Sequence, residues 1–177
     1  MKKIWILFLL SIGVSTVCRA QEKLTAQMVY DNLISVRNLS GKPMPPFSAV
    51  TIAGKKFDIT QLQGNVIVFC VWNTNCGPCI DEINSFKDLQ DKYIDRKVSF
   101  IAITPVDNIR DIKRFLKAHT FNFDIIYSPS SNFVKDYGAY AYPTSYVIDR
   151  QGVIRYAEVG YDKDNVKNIT SVVEKYL

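Results

Sequence analysis

The feature that most constrains this chain is an apolar run that leads directly into two closely spaced cysteines. Residues Val66–Val71 are all apolar, which is typical of a β-strand buried on both faces. A short polar turn follows, and Cys76-Gly-Pro-Cys79 then opens a predicted helix. The positive end of a helix dipole stabilises a thiolate and lowers the pKa of the first cysteine. The segment is therefore suited to exchanging disulfides.

The cysteine pair has two interpretations. In the first, Cys76 is a nucleophile that attacks a substrate disulfide, and Cys79 resolves the mixed disulfide that forms. Pro78 fits this position because the first turn of a helix does not need its missing N–H. In the second, the pair is a permanent and inert disulfide. We favour the first, because closing a loop of two residues constrains almost no chain.

Several segments of the chain together resemble the TlpA-like thiol–disulfide oxidoreductases, an exported bacterial group of the thioredoxin superfamily. The similarity covers roughly Gly41 to the C-terminus. It implies an α/β thioredoxin fold, in which a central mixed β-sheet is flanked by helices and preceded by an N-terminal β-hairpin. It also implies dithiol exchange as the activity. The matching segments are Gly41–Phe47, Trp72–Cys79, Glu82, Tyr142–Thr144 and Ile148–Gly152.

The resemblance implies two further catalytic residues, Pro143 and Glu82. Pro143 would form a cis peptide bond against the cysteine pair and turn the backbone of Tyr142 toward a substrate strand. The alternative is an ordinary trans proline at the start of a strand. Glu82, if buried, would have a raised pKa and could accept the proton of Cys79. If it is solvated, it only complements the helix dipole.

The predicted substrate-binding residues surround the cysteines and the proline. Asn75 departs from the family, which commonly has Trp or another large residue directly before the cysteine pair, so the rim around Cys76 is more polar here. Trp72 is expected to pack beside the site. The full predicted set is Trp72, Asn75, Gly77, Pro78, Tyr142 and Thr144.

A third cysteine lies on the predicted strand. Cys70 is six residues before Cys76, the offset at which ordinary thioredoxins carry a buried Asp. A thiol is not the proton acceptor that a carboxylate is, so the acid–base role would pass to Glu82. Cys70 is either a small apolar core residue or a partner for Cys79 in a non-productive disulfide.

Metal, cofactor and nucleic-acid binding are not expected. One cysteine pair and the single His119 are too few ligands for a structural zinc site, which usually needs four. We find no flavin or nicotinamide site, so the electrons must come from outside, and the resemblance implies a membrane donor of the thiol-relay type. The net charge of +5 falls to +2 without the three basic residues of the first 20, which does not suggest nucleic-acid binding.

Residues 1–20 have the pattern of an export signal. Met1–Lys3 is basic, and Ile4–Val14 is apolar but shorter than the roughly 20 residues of a spanning helix. We expect cleavage before Gln21 and an extracytoplasmic location, in the periplasm. The alternative is lipidation at Cys18, which would anchor the protein to a membrane.

The rest of the chain is predicted to be an N-terminal extension followed by one domain. Residues 21–40 have a loose helical spacing, and residues 41–177 would form the thioredoxin-like domain. The apolar patterns after the front hairpin predict the order β-α-β-α-β-β-α, typical of this fold.

The predicted function is the reduction of disulfides in exported proteins by a monomer, with cytochrome c maturation as one pathway that the resemblance implies. A peroxiredoxin-like peroxidase is one alternative, although it needs Thr where this chain has Asn73. A redox-inactive thioredoxin-fold binding module is the other.

Overall fold

A seven-stranded mixed sheet forms the centre of the protein. The structure is a computed structural model that describes residues 21–120 and 124–177, so the predicted export signal lies outside the described residues. The strands are β1 (Ser48–Thr51), β2 (Lys56–Asp58), β3 (Val66–Val71), β4 (Val98–Thr104), β5 (Asp124–Tyr127), β6 (Thr144–Ile148) and β7 (Ile154–Val159). Their spatial order is β2-β1-β5-β4-β3-β6-β7.

The helices cover both faces of this sheet. They are α1 (residues 21–37), α2 (Gly77–Lys92), α3 (Ile109–Phe115), α4 (Phe133–Tyr137) and α5 (Lys163–Tyr176), with a short 3-10 turn at Ile59–Leu62. Helices α2, α3 and α5 contribute buried residues to one core, and α1 and α4 contribute to the other. The predicted α/β thioredoxin fold, including the β1–β2 hairpin in front, is confirmed.

Strand β3 is the centre of the sheet and explains the apolar run. It pairs in parallel with β4 and antiparallel with β6, and all six of its residues are buried. Because side chains alternate between the faces of a strand, its residues divide between the two cores. Val66, Val68 and Cys70 face α2 and α5, and Ile67, Phe69 and Val71 face the opposite core.

The N-terminal helix α1 is attached to the domain through its last turns. Val36 is buried in the core, Asn32 donates a hydrogen bond to the carbonyl of Gly138, and Arg37 forms an ion pair with Glu158. Earlier apolar residues of α1 remain largely exposed. The helical spacing therefore indicated a helix correctly, although only part of its apolar surface packs. Within the part of the chain that the structure describes, no helix is long and apolar enough to cross a membrane.

The register between β3 and β6 matters most for the site. Cys70 lies directly opposite Ser145 in this antiparallel pair, so the two side chains point to the same face of the sheet. That face is covered by α2, which begins just after β3. The fold thus brings Cys70, Ser145 and the first turns of α2 into one buried region, although Ser145 is 75 positions after Cys70.

Candidate active site

The cysteine pair lies where β3 leads into α2. Cys76 and Cys79 form a disulfide in the structure, with their Cα atoms 5.3 Å apart. Cys76 is the N-cap residue of α2, and its Sγ accepts a hydrogen bond from the backbone N–H of Cys79 at 3.2 Å. Cys79 is fully buried, whereas Cys76 is partly exposed. Cys76 is therefore the sulfur that a partner can reach, and its thiolate would lie at the positive end of the helix dipole.

The loop before Cys76 is held by an aspartate that follows the neighbouring strand. The carboxylate of Asp107 accepts hydrogen bonds from the backbone N–H of Thr74 at 2.8 Å and from its hydroxyl at 3.0 Å. It also accepts one from the hydroxyl of Thr104 at 2.9 Å. Asp107 was not predicted from the sequence. Its position after β4 was a usable signal, because the carboxyl ends of adjacent parallel strands meet at one edge of the sheet.

We expect Asp107→Asn to loosen the loop that carries Cys76. An amide can accept with only one of its two polar atoms, so the backbone N–H and the hydroxyl of Thr74 can no longer both donate to it. The free energy of unfolding should fall by about 1–2 kcal/mol, and the amide of Thr74 should exchange its hydrogen faster. Urea unfolding and hydrogen exchange measure the two effects. Asp111→Asn, on the nearby helix α3, is the matched control, and equal effects of both variants would contradict the assignment.

A buried carboxyl lies on the helix that the cysteine pair begins. Glu82, in the second turn of α2, is fully buried, and its Oε2 accepts hydrogen bonds from Ser145 Oγ at 2.7 Å and Cys70 Sγ at 3.0 Å. Its Oε1 has no hydrogen-bond partner among the described residues. Burial raises the pKa of Glu82 from its ordinary 4.5 to about 7, although the two hydrogen bonds oppose that rise. Of the two environments considered for Glu82, the structure shows the buried one.

Cys70 is a free, fully buried thiol in the same region. Burial and then the charge of Glu82 raise its pKa well above the ordinary value. The thiol is therefore protonated at neutral pH and acts as a hydrogen-bond donor to Glu82. Cys70 was singled out from the sequence and Ser145 was not, because their pairing depends on a strand register that no local pattern specifies.

The raised pKa of Glu82 makes the stability of the protein depend on pH. Because the folded state binds this proton more tightly than the unfolded state, the stabilisation is complete below pH 4.5 and is lost as the pH rises through about 7. Glu82→Gln removes this titration. The free energy of unfolding of the variant, minus that of wild type, should therefore increase by up to about 3 kcal/mol from pH 4 to pH 8.

Urea unfolding of the oxidised protein across this pH range measures the effect, because the disulfide cysteines then do not titrate. Asp88→Asn, an exposed carboxyl on the same helix, is the control and should follow the wild-type pH dependence. A constant difference between Glu82→Gln and wild type at all pH values would contradict a raised pKa.

The proline segment lies at the start of β6, which is the neighbour of β3. The Tyr142–Pro143 peptide bond is cis, as the resemblance implies. Pro143 is buried, and its carbonyl accepts a hydrogen bond from the N–H of Gly160 at 2.8 Å. Thr144 is also buried, and its hydroxyl donates to the carbonyl of Ala141 at 2.7 Å. These bonds fix the chain on which the partly exposed Tyr142 lies.

The other predicted binding residues lie at different depths. Asn75, Gly77 and Pro78 are exposed around Cys76, and a Cβ built on Gly77 would meet no heavy atom within 4 Å. Asn75 also borders a pocket of about 390 Å³ that reaches Arg114 on α3. Trp72 is fully buried, with its indole 5.1 Å from the ring of Phe115. Trp72 and Thr144 are therefore buried beneath the surface that the exposed residues around Cys76 form.

Candidate metal ligands are not clustered in this region. Within residues 21–120 and 124–177, no group of three or more His, Cys, Asp or Glu side chains is arranged to hold a metal ion.

The protein belongs to the thioredoxin-fold class. Three features define this class: the mixed sheet with this strand order, the cysteine pair at the start of the helix after the central strand, and the cis-proline at the start of the neighbouring strand. Residues 39–173 match the Redoxin family, and the chain belongs to that family. The predicted likeness to TlpA-like thiol–disulfide oxidoreductases is confirmed by the relatives found.

The relatives found carry the names of thiol–disulfide oxidoreductases and of a thioredoxin-like protein. The protein named thiol-disulfide oxidoreductase ResA of Bacillus thuringiensis is 29% identical over 114 residues, which are 64% of this chain and 66% of that protein. The thioredoxin-like protein YneN of Bacillus subtilis is 28% identical over 68% of this chain and 71% of its own length. The chain thus spans about two thirds of the length of the relatives that it matches.

Solved structures share the fold. A thiol:disulfide interchange protein of the thioredoxin family from Chlorobium tepidum superposes with a TM-score of 0.64 at 24% identity, over 76% of this chain and 94% of its own. The thioredoxin domain of a thiol-disulfide oxidoreductase from Bacteroides vulgatus gives 0.67 at 14% identity, over 77% and 96%. These comparisons show the same architecture at low sequence identity.

Proposed function

We propose that this protein is an extracytoplasmic thiol–disulfide oxidoreductase that reduces protein disulfides through Cys76 and Cys79. The observation that carries this proposal is the unequal burial of the pair at the start of α2, with Cys76 partly exposed and Cys79 buried. The names of the relatives support the same activity. Glu82, buried one turn along the helix from Cys79, provides a proton acceptor for the inner sulfur.

The proposed reaction begins with the reduced pair. The thiolate of Cys76 attacks one sulfur of a substrate disulfide, which forms a mixed disulfide and releases the other substrate sulfur as a thiolate. Cys79 then gives its proton to Glu82 and attacks Cys76 Sγ. The mixed disulfide breaks, the second substrate sulfur leaves with the electron pair and takes a proton from solvent, and the Cys76–Cys79 disulfide forms. Two electrons have moved to the substrate, and the pair is left as the Cys76–Cys79 disulfide.

The substrate would approach across the exposed side of the pair. We assign contact with it to Asn75, Gly77, Pro78 and Tyr142, which are exposed or partly exposed. In the resembling family, the segment at the cis-proline is where a substrate strand pairs. Pro143 would shape this surface through its backbone. The buried residues Trp72 and Thr144 would support it from below.

Continued turnover requires an external reductant. We propose a membrane thiol-relay protein as the donor, whose own dithiol would attack the oxidised pair at Cys76 and be oxidised in turn. Export through the segment 1–20, release as a monomer and a role in cytochrome c maturation belong to the same proposal. Retention of a lipid anchor at Cys18 is the alternative to release.

Reduction of a protein disulfide tests the proposal. The mature protein, with dithiothreitol as electron donor, should accelerate insulin reduction well above the uncatalysed rate. Peroxide consumption is measured in parallel and should stay at background. Fast peroxide consumption would favour the peroxiredoxin-like alternative, and the absence of both activities would favour a binding module.

The reduction potential of the pair tests the direction of electron flow. Equilibration with a dithiothreitol series should give a value near that of thioredoxin, about −270 mV. A value near about −120 mV would make the protein a disulfide donor instead. The absence of a reversible two-electron couple would contradict the enzymatic proposal.

A further inference from the structure

We infer that Cys70 and Ser145 are positioning residues for Glu82, and that Cys70 serves as a permanent hydrogen-bond donor and not as a third redox cysteine. The inference rests on the proposed function, in which Glu82 accepts the proton of Cys79. It concerns this chain specifically, because it assigns a role to the cysteine that stands where ordinary thioredoxins carry a buried Asp.

The strand register places both donors on one oxygen of the carboxyl. Cys70 and Ser145 are directly paired between β3 and β6, and they face α2 together. Both donate to Oε2 of Glu82, the hydroxyl at 2.7 Å and the thiol at 3.0 Å. A buried carboxyl oxygen needs hydrogen-bond donors. Because the two donors come from two different strands, they fix both the position and the rotation of the carboxyl group.

The second carboxyl oxygen is left for proton transfer. Oε1 of Glu82 has no hydrogen-bond partner among the described residues although the whole side chain is buried. Cys79 precedes Glu82 by three residues on α2, so the two side chains lie on the same face of the helix. The arrangement therefore separates two tasks: Oε2 is held by the sheet, and Oε1 is available to the inner sulfur.

Other groups around Glu82 do not offer a competing proton acceptor. Cys70 on β3 is kept as a thiol by burial and by the charge of Glu82. Tyr156 on β7 is affected by the charge of Glu82, and its pKa is raised mainly by burial. On α2 itself, the buried Cys79 becomes titratable when the pair is reduced, whereas the aspartates of this helix are exposed. Glu82 is thus the group of this cluster that can exchange a proton near pH 7.

The protonated state of Cys70 also argues against its use as a nucleophile. Disulfide exchange requires a thiolate, and the surroundings of Cys70 disfavour that form. A disulfide between Cys70 and Cys79 would also remove one of the two donors from Glu82. The position of Cys70 is consistent with a thiol that supports the reaction without taking part in sulfur exchange.

The test is the pKa of the Glu82 carboxyl in the oxidised protein, measured by carbon NMR with labelled glutamate. Cys70→Ala and Ser145→Ala each remove one donor to the charged form and should raise this pKa by about one unit. Cys70→Ser restores a donor and should return the pKa toward the wild-type value. Val68→Ala, a cavity variant two residues earlier on the same face of β3, is the matched control and should leave the pKa unchanged.

The same variants are compared in the pH dependence of the resolving step. Cys70→Ala should move its midpoint upward by the same amount as the carboxyl pKa, whereas Val68→Ala should not. An unchanged pKa in both alanine variants would overturn the positioning role. A Cys70–Cys79 disulfide found by mass spectrometry in the oxidised protein would overturn the donor role. The NMR result does not depend on turnover, so an inactive wild-type protein would contradict the proposed function alone.

Discussion

Cys76→Ser is expected to abolish disulfide reduction, whereas Cys79→Ser is expected to capture the substrate. Without the Cys76 thiolate no mixed disulfide can form, because Cys79 is fully buried and offers no accessible sulfur. The rate should fall by more than about 10³-fold. Cys79→Ser keeps the first step but lacks the group that resolves it. It should therefore accumulate a covalent complex with substrate through Cys76 at a ratio of one to one.

Two measurements distinguish these outcomes. Insulin reduction gives the loss of turnover in both variants, and non-reducing electrophoresis with mass spectrometry detects the adduct of Cys79→Ser. The double variant is the control and should give neither product nor adduct. An adduct formed by Cys76→Ser would reverse the assignment of the two cysteines. Turnover by Cys76→Ser at more than a few per cent of the wild-type rate would contradict the mechanism.

The architecture and the position of the cysteine pair at the start of α2 were predictable because their signals are local. An unbroken apolar strand, helical spacing after Cys79 and turn residues between the later strands each specify an element without reference to distant residues. The Pro143 segment came from family resemblance, and its cis bond agrees with that resemblance. These parts depend on patterns a few residues long.

The surroundings of Glu82 were not predictable, because they depend on contacts between segments that are distant in the sequence. Its burial and its donors depend on the pairing of Cys70 with Ser145, and a strand register between distant segments is set by the whole sheet. Asp107 was missed because its role requires β4 to end beside the loop at Thr74. Even a correct list of strands does not say which side chains meet.

The burial of individual side chains in the site was also not predictable from the sequence. Trp72 and Asn75 are three residues apart, yet the structure buries the first completely and exposes the second. The same limit applies to α1, where the spacing indicated a helix but Leu24 and Met28 are 59% and 64% exposed. Periodicity identifies a helix from neighbouring residues, whereas burial depends on the other elements that pack against it.

Glu82→Gln is expected to slow the resolving step while leaving the first attack by Cys76 largely unchanged. Glutamine cannot take up the proton of Cys79, and general base catalysis of this kind contributes about 10²-fold or more. In wild type the resolving rate should rise with pH through about 7, because Glu82 must be ionised to accept a proton. The variant should lose the plateau above about pH 7, and its slower resolving rate should keep rising to higher pH with the ionisation of the unassisted thiol.

Single-turnover kinetics with a disulfide peptide separate the two steps, since the mixed disulfide forms in the first and decays in the second. Asp88→Asn removes an exposed carboxyl from the same helix and should keep both rates and the pH midpoint. A resolving rate and pH profile in Glu82→Gln that match wild type would show that the carboxyl is structural. An equal slowing of both steps would indicate a general distortion of α2.

The kinetic and stability effects of Glu82→Gln should share one origin. The burial that destabilises the charged carboxyl is the same burial that brings its pKa to about 7, where proton exchange with Cys79 is most effective. The variant should therefore gain stability relative to wild type as the pH rises to about 7, and it should be slower in the resolving step. The stability difference should stop changing near the pH that is the midpoint of the kinetic effect, because the pKa of the folded carboxyl sets both. A stability difference that levels off far from the kinetic midpoint would mean that another group controls one of the effects.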